Sequence, residues 1–191
     1  MESTLKSVFI SAKNYKKQLI IPHNEVSALH TFLKNTINNE VVIVNTNLGL
    51  DIYYLSSSLC GNLIKNSFFL MNSKKHLSAD QFRIIICDSA EDVKDFTKNS
   101  FLQLGRMPLI FTSYTKSMLH QFNENFSDNK RIIAALFVLW QHVLEELCKE
   151  QQHTQKISHF RGLLQEAFIE KNYDNVFKEL IKESVAMLRC N

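Results

Sequence analysis

Val41-Val42-Ile43-Val44, followed by Asn45-Thr46-Asn47-Leu48-Gly49 and then Leu50-Asp51-Ile52-Tyr53-Tyr54-Leu55, is the stretch on which the fold turns. The opening four residues are β-branched with no polar interruption. Such a run suits a strand covered on both faces, a pattern common in parallel sheets flanked by helices. Asn45 to Gly49 reads as a loop of turn-forming residues. A helix is expected next, over about Asp51 to Lys65. Strand, loop, helix is the order of a crossover unit, and it sets the expectation for the rest of the chain.

Upstream, Val8 to Ile10 and Leu19 to Ile21 flank Lys13-Asn14-Tyr15-Lys16-Lys17 and read as two short strands, with no Asn-Gly turn between them. Val26, Leu29, Phe32, Leu33 and Ile37 then repeat at three- and four-residue steps, which predicts a helix from about Asn24. Downstream, Ser67 to Met71 reads as a strand, and Arg83-Ile84-Ile85-Ile86-Cys87 repeats the buried-strand pattern. Ser89 and Asp92 form an S-x-x-D capping box that opens a helix. Leu109-Ile110-Phe111 reads as the last strand, with Ser113 capping the helix after it. The expected fold is therefore α/β: a mixed, mostly parallel sheet of about five short strands with flanking helices.

From Ser127 the pattern is helical only. Ile132 to Trp140 is the longest apolar run, nine residues, which is far short of the roughly 20 needed to span a bilayer. Its helix is expected to be buried on every side. Ile157, Phe160, Leu163, Leu164 and Phe168 mark a second helix. Val176, Phe177, Leu180, Ile181, Val185 and Leu188 mark a third. The expected organisation is an α/β region over 1–126 and a helical layer or three-helix bundle over 127–191, packed into one compact unit.

Composition excludes several classes of chemistry. The chain of 191 residues holds four glycines, Gly49, Gly61, Gly105 and Gly162. A dinucleotide fingerprint needs three within six positions and a P-loop needs two before a Lys, so neither is present. Two prolines leave no Pro-rich tail. With 22 Lys and Arg against 19 Asp and Glu, the charge of +3 is too mild for the basic stripe of a nucleic-acid binder. The basic clusters Lys13–Lys17 and Lys74-Lys75-His76 read as solvated loops, and nucleic acid is not an expected partner. The abundance of Asn, Lys, Ile and Phe points to an AT-rich genome such as that of an intracellular bacterium or a parasite. Cys60, Cys87, Cys148 and Cys190 have no CxxC spacing, and the start MESTLKSVF lacks the features of a secretory signal. Free thiols in a cytoplasmic protein are expected, or in one delivered into a host cell by a dedicated secretion machine.

In a parallel α/β sheet, ligands meet the strand C-terminal ends, which nominates Asn45, Asn47 and Asp88. Asp88 could ligate a metal or a hydroxyl. The same residue type also serves simply as a turn former before a helix. Histidine pairs His142/Glu146 and His120/Glu124 share helix faces, but no third ligand accompanies them, so no metal and no cofactor is expected. Cys87 lies beside an acid that would raise its pKa, the wrong direction for a nucleophile.

Lys6-Ser7-Val8-Phe9-Ile10-Ser11 is similar to the opening strand of a TIR domain over about six residues. The acid of that family soon after the strand is absent, Val41–Val44 leads to Asn-Thr-Asn in place of a Ser-containing loop, and no Glu for nicotinamide-cofactor cleavage is identified. The resemblance therefore implies no activity here. The functional expectation is a non-catalytic interaction protein: an adaptor, a chaperone-like subunit of an assembly such as a bacterial secretion system, or a small effector. Its protein partner would meet an apolar helical surface carrying Phe177, Leu180, Ile181 and Leu188, with no membrane insertion. The alternatives are a small-ligand-binding or hydrolytic enzyme at the strand ends and a nucleic-acid-binding protein.

Overall fold

The computed structural model of the chain describes residues 3–13, 19–72, 79–150 and 154–172. In order, the elements are β1 (Thr4–Ala12), α1 (His23–Ile37), β2 (Val41–Thr46), β3 (Gly49–Ser56), α2 (Gly61–Met71), a short 3-10 turn (Ala79–Gln81), β4 (Phe82–Cys87), α3 (Ala90–Gly105), α4 (Pro108–Asn125), α5 (Lys130–Lys149) and α6 (Thr154–Asn172).

The sheet has four strands in the order β2-β3-β1-β4, and every neighbouring pair is antiparallel. The expected mostly parallel sheet of five strands is overturned, and β3 is the element responsible. Thr46 pairs with Gly49, so Asn47 and Leu48 form a two-residue hairpin turn. Gly49 carries the positive φ, 154°. A Cβ there would lie 2.3 Å from the Ile10 carbonyl oxygen, so β3 can approach β1 this closely only with glycine. Leu50 to Leu55 then alternates as a strand. Its β-branched and aromatic content suits a pleated surface better than a helix.

Three other strand readings fall on helices or irregular chain. Residues 67–71 close α2. Leu109 to Phe111 lies in the first turn of α4, where Pro108 is well placed because its missing N–H would have no helical partner. Leu109 is 87 % exposed, so apolarity there did not report burial. Leu19 to Ile21 is not a strand. The Ser89–Asp92 box is present: Ser89 Oγ accepts from the Asp92 amide at 3.1 Å, and the Ser89 amide donates to Asp92 Oδ2 at 3.0 Å.

With β3 in place, β2 runs parallel to β1 across it, and β4 runs parallel to β3 across β1. The units β1-α1-β2 and β3-α2-β4 interleave, which is the split βαβ, ferredoxin-like arrangement. Both crossover helices cover the face that carries Val8, Ile10, Ile43, Ile52 and Tyr54. The opposite face carries Phe9, Val42, Val44, Tyr53 and Leu55, and it is covered by α3, α4 and α5, with α6 packed outside on α4 and α5. Double coverage makes β2 apolar on both sides although its neighbour is antiparallel.

The helical layer is built on aromatic contacts. Trp140 of α5 meets Tyr53 of β3 at 5.9 Å and Phe122 of α4 at 5.8 Å between ring centres. Phe101, Phe111 and Phe160 bring α3, α4 and α6 together edge to face. The expectation that α5 would be buried all round fails at Val138, which is 66 % exposed. Among the described residues no helix is long and apolar enough to cross a membrane.

Candidate functional site

Asp88, Asn45 and Asn47 do not converge. In an antiparallel sheet the C-terminal ends of strands alternate, and β2 runs opposite to β4, so Asp88 lies at the other end of the sheet from the two asparagines. Asp88 is exposed. Asn45 is buried: its amide donates to Gln121 Oε1 at 2.7 Å, Gln121 Nε2 donates to its carbonyl at 2.9 Å, and its own Nδ2 donates to the Ile21 carbonyl at 3.1 Å. Asn47 sits in the hairpin turn. Phe177, Leu180, Ile181 and Leu188 lie outside the described residues, as do Lys16, Lys17, Lys74 and Lys75.

The histidine spacings produce imidazole–carboxylate contacts within single helices. His142 Nε2 lies 3.0 Å from Glu146 Oε1, and His120 Nε2 lies 3.4 Å from Glu124 Oε1. Lys94 at 2.7 Å and Lys98 at 3.2 Å share the Glu146 carboxylate and pull its pKa down to about 2, tying α3 to α5. No group of three or more potential metal ligands occurs among the described residues. Burial raises the Cys87 thiol pKa, with Asp92 and Asp88 adding to the effect, which leaves it a poor nucleophile. Lys6 is buried, and its Nζ donates to the carbonyls of Ser56 at 2.6 Å and Ser58 at 3.3 Å.

The arrangement with the most chemical content lies on β3. Asp51 follows the hairpin, faces Phe9 across the sheet, and points to the α3–α5 side with Tyr53 and Leu55. Tyr114, on the buried side of α4, donates its hydroxyl to Asp51 Oδ2 at 2.6 Å. The other carboxylate oxygen has no hydrogen-bond partner among the described residues and is not sealed off. A cleft of about 430 Å³ opens here between the sheet and helices α3 and α4. Phe9, Leu48, Tyr53, Phe96 and Met107 supply its apolar wall, and Phe96 stacks on Phe9 with ring centres 3.9 Å apart. Arg83, Asn99 and Gln103 are exposed polar members of the lining.

Burial raises the pKa of Asp51 to about 6, partly offset by the Tyr114 hydrogen bond, which favours the ionised form. Burial also lifts the phenols of Tyr53 and Tyr114 well above their ordinary range, with the Asp51 charge adding to both. At neutral pH the cleft therefore holds one carboxylate with an open oxygen, one neutral phenol donating to it, and aromatic walls. Sequence reading missed Asp51 because an acid after a loop resembles the first turn of a helix. The available signal was one acid between Leu50 and Ile52 in an apolar, aromatic run.

No protein-family model matches the chain, no curated protein resembles it significantly, and no solved structure matches its fold significantly.

Proposed function

We propose that the protein is a non-catalytic binding protein whose cleft receives a small molecule with an amine, or another strong N–H donor, on an apolar body. One observation carries this reading: an Asp51 carboxylate oxygen without a hydrogen-bond partner among the described residues lies at an aromatic-lined cleft. The volume is within the range of small-molecule sites, which combine apolar walls with a few fixed polar groups. A partly buried carboxylate against apolar walls is costly, and a cationic ligand offsets that cost directly. Hydrolysis has less support. Among the described residues the cleft lining contains no His, Cys or second carboxylate to act with Asp51 as nucleophile or acid–base partner.

Titration of the protein with a panel of alkyl and aryl amines and matched carboxylates, by calorimetry at pH 5 and pH 8, tests the proposal. Amines should bind more tightly at pH 8, where Asp51 is ionised, and Asp51→Asn should abolish the difference. Equal binding by Asp51→Asn, or a preference for carboxylates, would sink it.

An assembly role is the second reading, and a different feature favours it. Leu5, Ala134, Ala135, Val138 and Leu139 line a shallow, mainly apolar groove along α5. A photo-crosslinker at position 138 should trap one protein of defined mass in the native cell, and one at exposed Glu124 should not. Identical adduct patterns at both positions would remove this reading.

A further inference from the structure

Asp51 is not the only charge in its cleft. Arg83, near the start of β4, is the other charged residue of the lining among the described residues. The register fixes how the two stand. Phe9 of β1 pairs with Asp51 on one side and with Ile85 on the other, so these three side chains share one face of the sheet. Arg83 lies two residues before Ile85, opposite Ser11, and strand alternation returns it to that same face. Two strand spacings and two residues of rise put the Cα atoms of Asp51 and Arg83 about 12 Å apart.

The floor between them is apolar. Phe9 stands on the middle strand with Phe96 stacked on it, and half-buried Ile85 extends the floor along β4. At one end Tyr114 donates to Asp51 Oδ2, and the other carboxylate oxygen has no hydrogen-bond partner among the described residues. At the other end Arg83 is exposed and takes part in no ion pair among the described residues, with Asp51 or with any other acid.

Opposite charges at the two ends of an apolar floor are the complement of a molecule with an ammonium at one end, a carboxylate at the other and a hydrocarbon body between. We propose that the cleft binds such a zwitterion, its amine on Asp51 and its carboxylate on Arg83. The proposal rests on the amine-binding reading of Asp51 and names the other end of the ligand. A guanidinium suits that end, because it offers a carboxylate two parallel N–H donors. The side chains and the two ionic contacts take up part of the separation, leaving roughly 5–8 Å between the charged ends of the ligand. That span fits a chain of about four to six methylenes and is too long for an α-amino acid.

Calorimetric titration of the full chain at pH 8 with ω-amino carboxylates of increasing length, each beside the plain alkylamine of the same length, tests this. Affinity for the amino carboxylates should peak at the predicted length and there exceed that of the matched amine by about tenfold. Arg83→Gln should erase that advantage and leave amine binding unchanged. Arg83→Glu should reverse it in favour of the diamine of the same length, a result only a folded protein can give. Equal affinity for amine and amino carboxylate at every length would overturn the proposal and leave the amine reading standing. So would a peak at glycine, or an advantage that survives Arg83→Gln. Binding by no member of either series would overturn both.

Discussion

A carboxylate on an apolar sheet face opposes folding when it is charged, and Asp51 makes this measurable. Its folded pKa of about 6 lies above the ordinary 3.8. The folded state therefore holds the proton more tightly than the unfolded state. The associated stability is fully present below about pH 4 and is lost as pH rises through about 6, at a cost of up to about 3 kcal/mol at neutral pH. Solvent reaching the open oxygen through the cleft reduces that figure. Asp51→Asn should accordingly raise the melting temperature at pH 8 and change it little near pH 4; a variant equally affected at both pH values would contradict the buried charge. Tyr114→Phe should act in the opposite sense. It removes a hydrogen bond to a charged acceptor, with a loss of about 1.5–3 kcal/mol at pH 8 and a smaller one at pH 5. Denaturant unfolding at both pH values reads the difference. A substitution that strengthens the fold while abolishing amine binding would mark Asp51 as a functional residue, since binding groups are commonly held at the expense of stability.

At the scale of the elements, the hairpin joining β2 to β3 decides the architecture, and Gly49 decides the hairpin. Gly49→Ala combines a positive φ with a Cβ 2.3 Å from backbone that cannot turn aside, so a loss of roughly 2 kcal/mol or more is expected. Chemical denaturation checks it, and an unchanged midpoint would show that β3 can move away from β1. This hairpin also shows what was legible in the sequence. The double coverage of Val41–Val44, the Ser89 cap, the β4 run and the apolar spacing of α1, α5 and α6 could be read directly, because each is local. The direction of the sheet could not. A strand buried on both faces has the same composition whether its neighbours are parallel or antiparallel, and the turn at Asn47-Leu48 lacks the dipeptides that announce a hairpin. A helix expected over about Asp51 to Lys65, where the chain forms β3 as far as Ser56, moves the ligand site to strand ends that lie at opposite ends of the sheet. It also hid Asp51, which acquires meaning only with a strand's alternation and with Tyr114 brought from 63 positions away.

For the whole molecule, Trp140 joins the layers, since its ring touches both the sheet and α4. Trp140→Ala should cost about 3–5 kcal/mol and leave a cavity between them. Fluorescence is lost with the only tryptophan, so calorimetry is the suitable measurement, and a loss below 1 kcal/mol would mean that the layers close over the gap. The interleaved crossovers also have a consequence in time. The chain's first strand lies between two partners made much later: Ser7 pairs with Tyr53 and also with Cys87, eighty residues on. As the chain leaves the ribosome, the β2–β3 hairpin can close at once. Val8, Phe9 and Ile10 must wait with their apolar surface uncovered until β4 has emerged. The delay is longest where the nascent chain is most adhesive, which makes β1 the segment that early-acting chaperones are best placed to hold.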